Sequence, residues 1–178
     1  MHKKIVILAT ESSGDFLGFR LIQCLKKKNK NIKFFGIGGN KMETLNFKSL
    51  IPLKKLAVNG IIEVFFKIFK LMYYLYKTKK FIKKINPEII ISIDSPSFNY
   101  RIVKDLQSLR PRTKFIHYVA PTVWAWKKHR AYEFSKVYDQ ILTLFSFEPQ
   151  YFKKFNIKTS YVGHPIFFEK KKKMKLKK

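Results

Sequence analysis

Ile89-Ile90-Ile91-Ser92-Ile93-Asp94-Ser95-Pro96-Ser97-Phe98-Asn99 is the stretch whose reading decides the fold. The apolar residues at its start stand side by side and do not alternate with polar ones. That pattern marks a strand covered on both faces, as in a parallel sheet. Asp94 ends the strand, and Pro96 biases the chain before it away from helix and into a turn. In open parallel sheets ligands bind outside the carboxyl ends of the strands, so a carboxylate at Asp94 points into that crevice. Asp94 can cap a helix, but Asn99 lies closer to the next helical run and can do that instead. An Asp that caps nothing at such a place is a candidate general base.

The same grammar repeats along the 178 residues. Short runs rich in Ile, Val and Phe at 5–9, 34–37, 115–119, 141–144 and 161–162 read as further strands. Segments 16–28, 60–84, 100–109, 123–134 and 149–155 have helical spacing. Strand alternating with helix predicts an α/β, doubly wound, mainly parallel Rossmann-like sheet. Residues 1–168 read as one such domain. Residues 169–178, seven of them lysine, read as a solvated basic tail.

Composition narrows the class. Apolar residues make up 46% of the chain, enough for a core. Cys24 is the single cysteine, so no internal disulfide forms, which fits a reducing cytosol. The apolar run 5–9 is too short for a secretory signal, and no stretch is clean enough to span a bilayer. Lys and Arg number 38 against 11 Asp and Glu, a formal charge of +27. Such a balance draws a protein to anionic surfaces. The lysines are scattered, however, and do not form the focused patch of a nucleic-acid binder, so no specific nucleic acid is expected.

Three further loops carry candidate chemistry. In Thr10-Glu11-Ser12-Ser13-Gly14-Asp15, backbone amides at a helix N-terminus can hold an anion or a sugar hydroxyl. The plain alternative is a capped turn, with Ser12, Ser13 or Asp15 as the cap. Gly36-Ile37-Gly38-Gly39 resembles a dinucleotide fingerprint, but Lys41 stands where the third glycine belongs. In the run from His117 to Arg130, Trp124 and Trp126 can stack on sugar rings or pack under the sheet. Arg130 can hold a phosphate through two hydrogen bonds. His117, His129 and His164 lack metal-ligand spacing, so neither metal nor cofactor is expected.

The segment IIEVFFKIFKLMYYLY at 61–76 carries more apolar surface than a helix on a sheet needs, which is about 100° of arc. A lipid interface, with Lys77, Lys79, Lys80, Lys83 and Lys84 beside acidic headgroups, or a protein partner can take that excess, and a well-buried helix is the plain alternative.

These loops together resemble the lipid-A-disaccharide synthase family, glycosyltransferase family 19. Residues 10–15 match its G-E-x-S-G-D opening except at Thr10. L-A-V-N-G-I-I-E-V at 56–64 resembles its L-A-V-M-G-I-V-E-V. I-D-S-P-S-F-N at 93–99 matches I-D-x-P-D-F-N with Ser97 in place of an Asp. H-Y-V-A-P-T-V-W-A-W at 117–126 differs from the family only at Ala120 and Thr122. Phe147-Glu148 and Gly163-His164-Pro165 follow in order.

The resemblance implies the N-terminal, acceptor-side domain of a GT-B glycosyltransferase, without the nucleotide-sugar domain. It implies joining UDP-2,3-diacylglucosamine to 2,3-diacylglucosamine 1-phosphate (lipid X) in a β(1→6) disaccharide, with UDP released and no metal required. Asp94 matches the family's base. Glu11, Ser13, Gly14, Asp15, Asn99, Trp124, Trp126 and Arg130 become the expected substrate-binding set. The family's membrane-docking patch falls on Ile62, Val64, Phe65, Ile68, Leu71 and Met72. The expected location is the cytoplasm, peripheral on the inner membrane. The C-terminal half not seen here is a separately encoded partner chain, the loss of a decayed gene, or sequence cut short, three accounts that stay open. A binding domain for acylated sugar or membrane, without catalysis, is the other reading.

Overall fold

The structure, a computed structural model, describes residues 2–56, 64–123 and 129–167, with the backbone alone at 64–67. Six parallel strands form one sheet: β1 (Lys3–Ala9), β2 (Ile32–Ile37), β3 (Ile89–Ile93), β4 (Lys114–Tyr118), β5 (Gln140–Thr143) and β6 (Lys158–Tyr161). Their spatial order is β2-β1-β3-β4-β5-β6. The helices are α1 (Ser12–Lys28), α2 (Asn40–Glu43), α3 (Val64–Ile85), α4 (Pro96–Asp105) and α5 (His129–Val137). The predicted doubly wound, Rossmann-like sheet is what the chain forms.

Both faces of the sheet are covered, and the strand side chains divide between two cores. Val6, Leu8, Ile90 and Phe115 pack with Leu75, Ile82, Ile102, Val103 and Phe134 from α3, α4 and α5. Ile5, Ile7, Ala9, Ile91 and Ile93 pack with Leu17 and Ile22 of α1 and Met42 of α2. Strands read as unbroken apolar runs for this reason: successive side chains enter opposite cores, and neither face meets water.

Several boundaries differ from the sequence reading. The helix placed at 100–109 begins at Pro96, because proline suits the first helical position, where its missing N–H is not needed. Asn99 therefore lies inside α4 and caps nothing. The 149–155 helix is two short 3₁₀ turns, at 148–151 and 153–155. The last strand runs 158–161 along a half-exposed sheet edge, where the sequence KTSY carries no apolar run. The part of 123–134 at 124–128, and residues 60–63 and 168–178, lie outside the described residues. Among the described residues no helix is long and apolar enough to cross a membrane.

The glycines at 36–39 have packing reasons. Gly36 pairs with Ile7 at a φ of +127°, and a Cβ there would sit 2.0 Å from the Ile7 carbonyl oxygen. A Cβ on Gly38 would instead meet the flexible end of Met42. Gly36→Ala should therefore lower the unfolding free energy by about 3 kcal/mol or more, measured by urea denaturation. Gly38→Ala should cost clearly less. Equal losses would show that Gly36 carries no special constraint.

Candidate functional site

The strand order reverses between β1 and β3: the chain passes from β1 outward to β2, then back to β3 on the other side. At such a switch point the loops after the two strands diverge and leave a crevice. Here those loops are residues 10–15 and 94–99.

Asp94 stands at the carboxyl end of β3, partly exposed, with φ of 54°. Its neighbour Ser95 has φ of 45°, and two successive non-glycine residues in the left-handed region are costly and uncommon. Hydrogen bonds hold the turn. The Asp94 N–H donates to the Tyr118 carbonyl at 3.0 Å. The Ser95 N–H donates to Asp94 Oδ1 at 2.8 Å, and the Ser13 hydroxyl donates to Asp94 Oδ2 at 2.8 Å. Ser13 thus reaches across the switch point from the first loop to the second. Each carboxylate oxygen keeps a lone pair for another donor.

The other predicted residues of the first loop fall into two kinds. Glu11 is exposed and occupies the N-cap position of α1, yet no side chain caps that helix, so neither Ser12 nor Ser13 does so. Gly14 is buried, and a Cβ there would lie 3.3 Å from the Ile93 carbonyl oxygen, so glycine lets α1 approach the strand ends. Asp15 is only 5% exposed. Its carboxylate accepts from the N–H groups of Gly39, Lys41 and Met42, at 2.8, 2.9 and 3.1 Å. It therefore caps α2 and does not cap its own helix.

Asn99 is fully buried. Its Nδ2 lies 2.9–3.3 Å from the carbonyl oxygens of Leu8, Ile93 and Asp94. Three acceptors around one atom fix the amide orientation, because a flipped oxygen would be repelled. Asp15 and Asn99, both in the expected substrate-binding set, make hydrogen bonds that hold the loops in place. Trp124 and Trp126 lie outside the described residues, and Arg130 is the half-buried second residue of α5.

A crevice of about 530 Å³ opens between the two loops. Thr10, Glu11, Ser12, Ser95 and Lys54 give it a polar wall, and Leu53, Leu56, Leu71 and Phe98 an apolar one. The sequence reading missed this apolar wall, because residues 53 and 56 approach only through the fold.

Leu71 leads to the outer face of α3. Tyr74, Leu75, Thr78 and Ile82 turn inward, while Ile68, Phe69, Met72, Tyr73 and Tyr76 are exposed, Phe69 at 74%. The outward residues recur three and four apart, so they form one stripe. The expected patch is thus exposed at Ile68 and Met72, and partly so at Leu71. Ile62 and the side chains of Val64 and Phe65 lie outside the described residues. Phe69, Tyr73 and Tyr76 extend the stripe, a continuation their spacing already encodes.

Behind β3 and β4 lies a buried polar network. The Ser92 hydroxyl is 2.8 Å from His117 Nδ1 and 3.0 Å from the Tyr138 hydroxyl. Burial pushes the His117 imidazole down from 6.5 to about 3, against a smaller upward pull from a backbone hydrogen bond to Val119. Glu148 is buried too, accepts from the N–H groups of Leu144 and Phe145, and burial raises its carboxyl. Among the described residues no cluster of His, Cys, Asp and Glu is arranged to hold a metal ion.

The chain is thus a parallel Rossmann-like domain with a carboxylate at its β1/β3 switch point, the place where open α/β sheets that have ligands bind them. The family model for lipid-A-disaccharide synthetase matches residues 5–178, and the chain belongs to that family. It is 46% identical over 164 residues to the lipid-A-disaccharide synthase of Rickettsia akari, covering 92% of this chain and 42% of the relative. The synthase of Rickettsia bellii is 44% identical, with 92% and 43% covered. That of Granulibacter bethesdensis is 42% identical, with 91% and 41% covered. The chain thus spans about two fifths of the length of these relatives. Among solved structures, a putative UDP-N-acetylglucosamine 2-epimerase from Listeria monocytogenes shares the fold. Its TM-score is 0.60 at 13% identity, over 88% of this chain and 42% of the other.

The His117 network makes a pH prediction. The unfolded chain takes up this proton near 6.5, whereas the folded one does so only near 3. The contribution is complete above pH 6.5 and is lost as pH falls from there toward 3, by at most about 1.4 kcal/mol per unit. The Tm of the wild type should therefore fall between pH 7 and pH 4 more steeply than that of His117→Gln. Parallel curves would remove His117 from the pH dependence.

Proposed function

We propose that this chain is the acceptor-side domain of a lipid-A-disaccharide synthase, and that Asp94 is the general base. The observation that carries this reading is the Asp94 carboxylate, held at the switch-point crevice by Ser13 and Ser95. Asp94 takes the proton from the 6-hydroxyl of 2,3-diacylglucosamine 1-phosphate. The freed oxygen attacks the anomeric carbon of UDP-2,3-diacylglucosamine, the bond from that carbon to UDP breaks, and the β(1→6) disaccharide forms. Ser13 orients the carboxylate, and an acceptor hydroxyl can take the lone pair that Ser13 leaves. The nucleotide is held by the part of the relatives' length that this chain does not span, arranged with this domain as in a GT-B enzyme. Where that part is a separate chain, the two act as a complex.

The outer face of α3 is the membrane-docking surface on this reading, and it places the protein on the cytoplasmic side of the inner membrane. Ile68, Phe69 and Met72 enter the lipid, and lysines from the second half of the helix face acidic headgroups.

Two experiments test these assignments. The purified 178-residue chain alone should form no disaccharide from the two acylated sugars. Combined with a segment spanning the rest of the Rickettsia akari relative, it should do so. In that complex Asp94→Asn should cut the rate about 10²–10⁴-fold while assembly persists. A near-normal rate would take Asp94 out of the mechanism.

For the membrane, Phe69→Glu with Met72→Glu should leave the circular dichroism spectrum unchanged, because both side chains are exposed. Binding to anionic liposomes should drop at least tenfold, since each large apolar contact contributes about 1.5–3 kcal/mol when fully buried. Salt should weaken liposome binding only in part, whereas binding driven by charge alone, as to DNA, should be abolished. A folded double mutant that sediments with liposomes as the wild type does would defeat the docking assignment.

A further inference from the structure

We propose that the 530 Å³ crevice holds an acyl chain of the sugar substrate, with the chain along Leu53, Leu56, Leu71 and Phe98 and its carbonyl end at Thr10. This rests on the acylated-sugar reading above and assigns that ligand a site. The volume lies within the range of small-molecule pockets. One wall polar and one apolar is the chemistry of an amphipathic ligand; a free sugar or nucleotide would leave four apolar side chains facing it.

Two further observations point the same way. Thr10 is 8% exposed, and its hydroxyl has no hydrogen-bond partner among the described residues. An unpaired buried hydroxyl is costly, and a ligand carbonyl brought to it recovers that cost. Leu71 belongs both to the crevice and to the exposed side of α3, next to Met72. Leu71 thus joins the apolar wall of the crevice to the exposed apolar stripe of α3. Ser95 and Ser12 line the crevice and are the sequence neighbours of Asp94 and Ser13, so the sugar attached to such a chain lies beside the carboxylate.

The test is direct binding of N-hexanoyl- and N-octanoyl-glucosamine to the 178-residue chain, by calorimetry or NMR titration. Each added methylene should tighten binding about fourfold, so the octanoyl probe should bind on the order of tenfold tighter. Leu71→Trp fills the crevice from a partly exposed position and should weaken the octanoyl probe at least tenfold, with an unchanged circular dichroism spectrum. Thr10→Val, which removes only the hydroxyl, should weaken it about three- to tenfold, and Thr10→Ser should restore the affinity. If Thr10→Val does not fold, Thr10→Ala takes its place in the comparison.

Equal affinity for the two chain lengths, or wild-type affinity in Leu71→Trp, overturns the proposal. So does loss of binding in Phe69→Glu but not in Leu71→Trp, because the probe would then sit on the outer face. Disaccharide formation by the complemented complex tests the parent reading separately. A complex that makes disaccharide while both crevice variants bind the probe normally sinks the crevice assignment alone.

Discussion

At the carboxyl ends of β1 and β3, the side-chain amide of Asn99 reaches backbone carbonyl groups of both strands. Its Nδ2 faces the carbonyls of Leu8, Ile93 and Asp94, with no exposure to water. Buried carbonyls without donors are expensive, so a buried donor here helps hold the ends of the two strands together at the switch point. It also explains why α4 starts so soon after β3. Asn99 must stand one helical turn from Asp94 to reach back to it, and Pro96 starts the helix early enough for that. The same turn leaves Asp94 at the end of β3, next to Ser95, which lines the crevice, with its carboxylate held by Ser13 and the Ser95 N–H.

A second tether does for the other loops what Asn99 does for the strand ends. Asp15 fixes the start of α2 through three N–H groups, and a Cβ on Gly39 would lie 2.8 Å from its carboxylate. Backbone strain collects on the strand ends between these tethers. Asp94, Ser95 and Val119 have φ of 54°, 45° and 80°. Each costs roughly 1–3 kcal/mol, the most for the β-branched Val119. The hydrogen bonds from the Asp94 and Val119 N–H groups to Tyr118 and Leu142 persist through the strain, so neighbouring strands hold these residues in the left-handed region. Strain maintained by its surroundings at adjacent strand ends is the mark of a site that fixes side-chain direction at a cost to stability.

Much of this was legible in the sequence, for reasons that can be named. Parallel strands buried on both faces show as unbroken apolar runs, so the sheet and its winding were readable from Ile5–Ala9 and Ile89–Ile93. The place of Asp94 followed from one rule about strand ends. The roles of Asp15 and Asn99 were not readable, because a carboxylate that will cap a helix 24 residues on looks the same as one that will meet a ligand. The crevice was hidden for the same reason: Leu53, Leu56, Leu71 and Phe98 meet only after three elements have packed. β6 was placed late because an edge strand, wet on its outer side, carries no apolar run.

The α3 helix sets charge against apolar surface, and magnitudes decide their roles. A net charge of +27 attracts anionic surfaces, but screening confines that pull to about 8 Å at physiological salt. A lysine near an anionic membrane is worth about 1 kcal/mol, and Lys77, Lys79, Lys80, Lys83 and Lys84 crowd the second half of the helix. A large apolar side chain that becomes fully buried gives about 1.5–3 kcal/mol and is insensitive to screening. Ile68, Phe69 and Met72 stand at 52, 74 and 56% exposure, so much of that energy is unspent in the folded protein. On the proposed docking reading, charge governs approach, and apolar contact governs whether the protein stays. Lysines lie all along the chain, whereas this exposed apolar stripe lies on α3, whose Leu71 also borders the crevice beside Ser95.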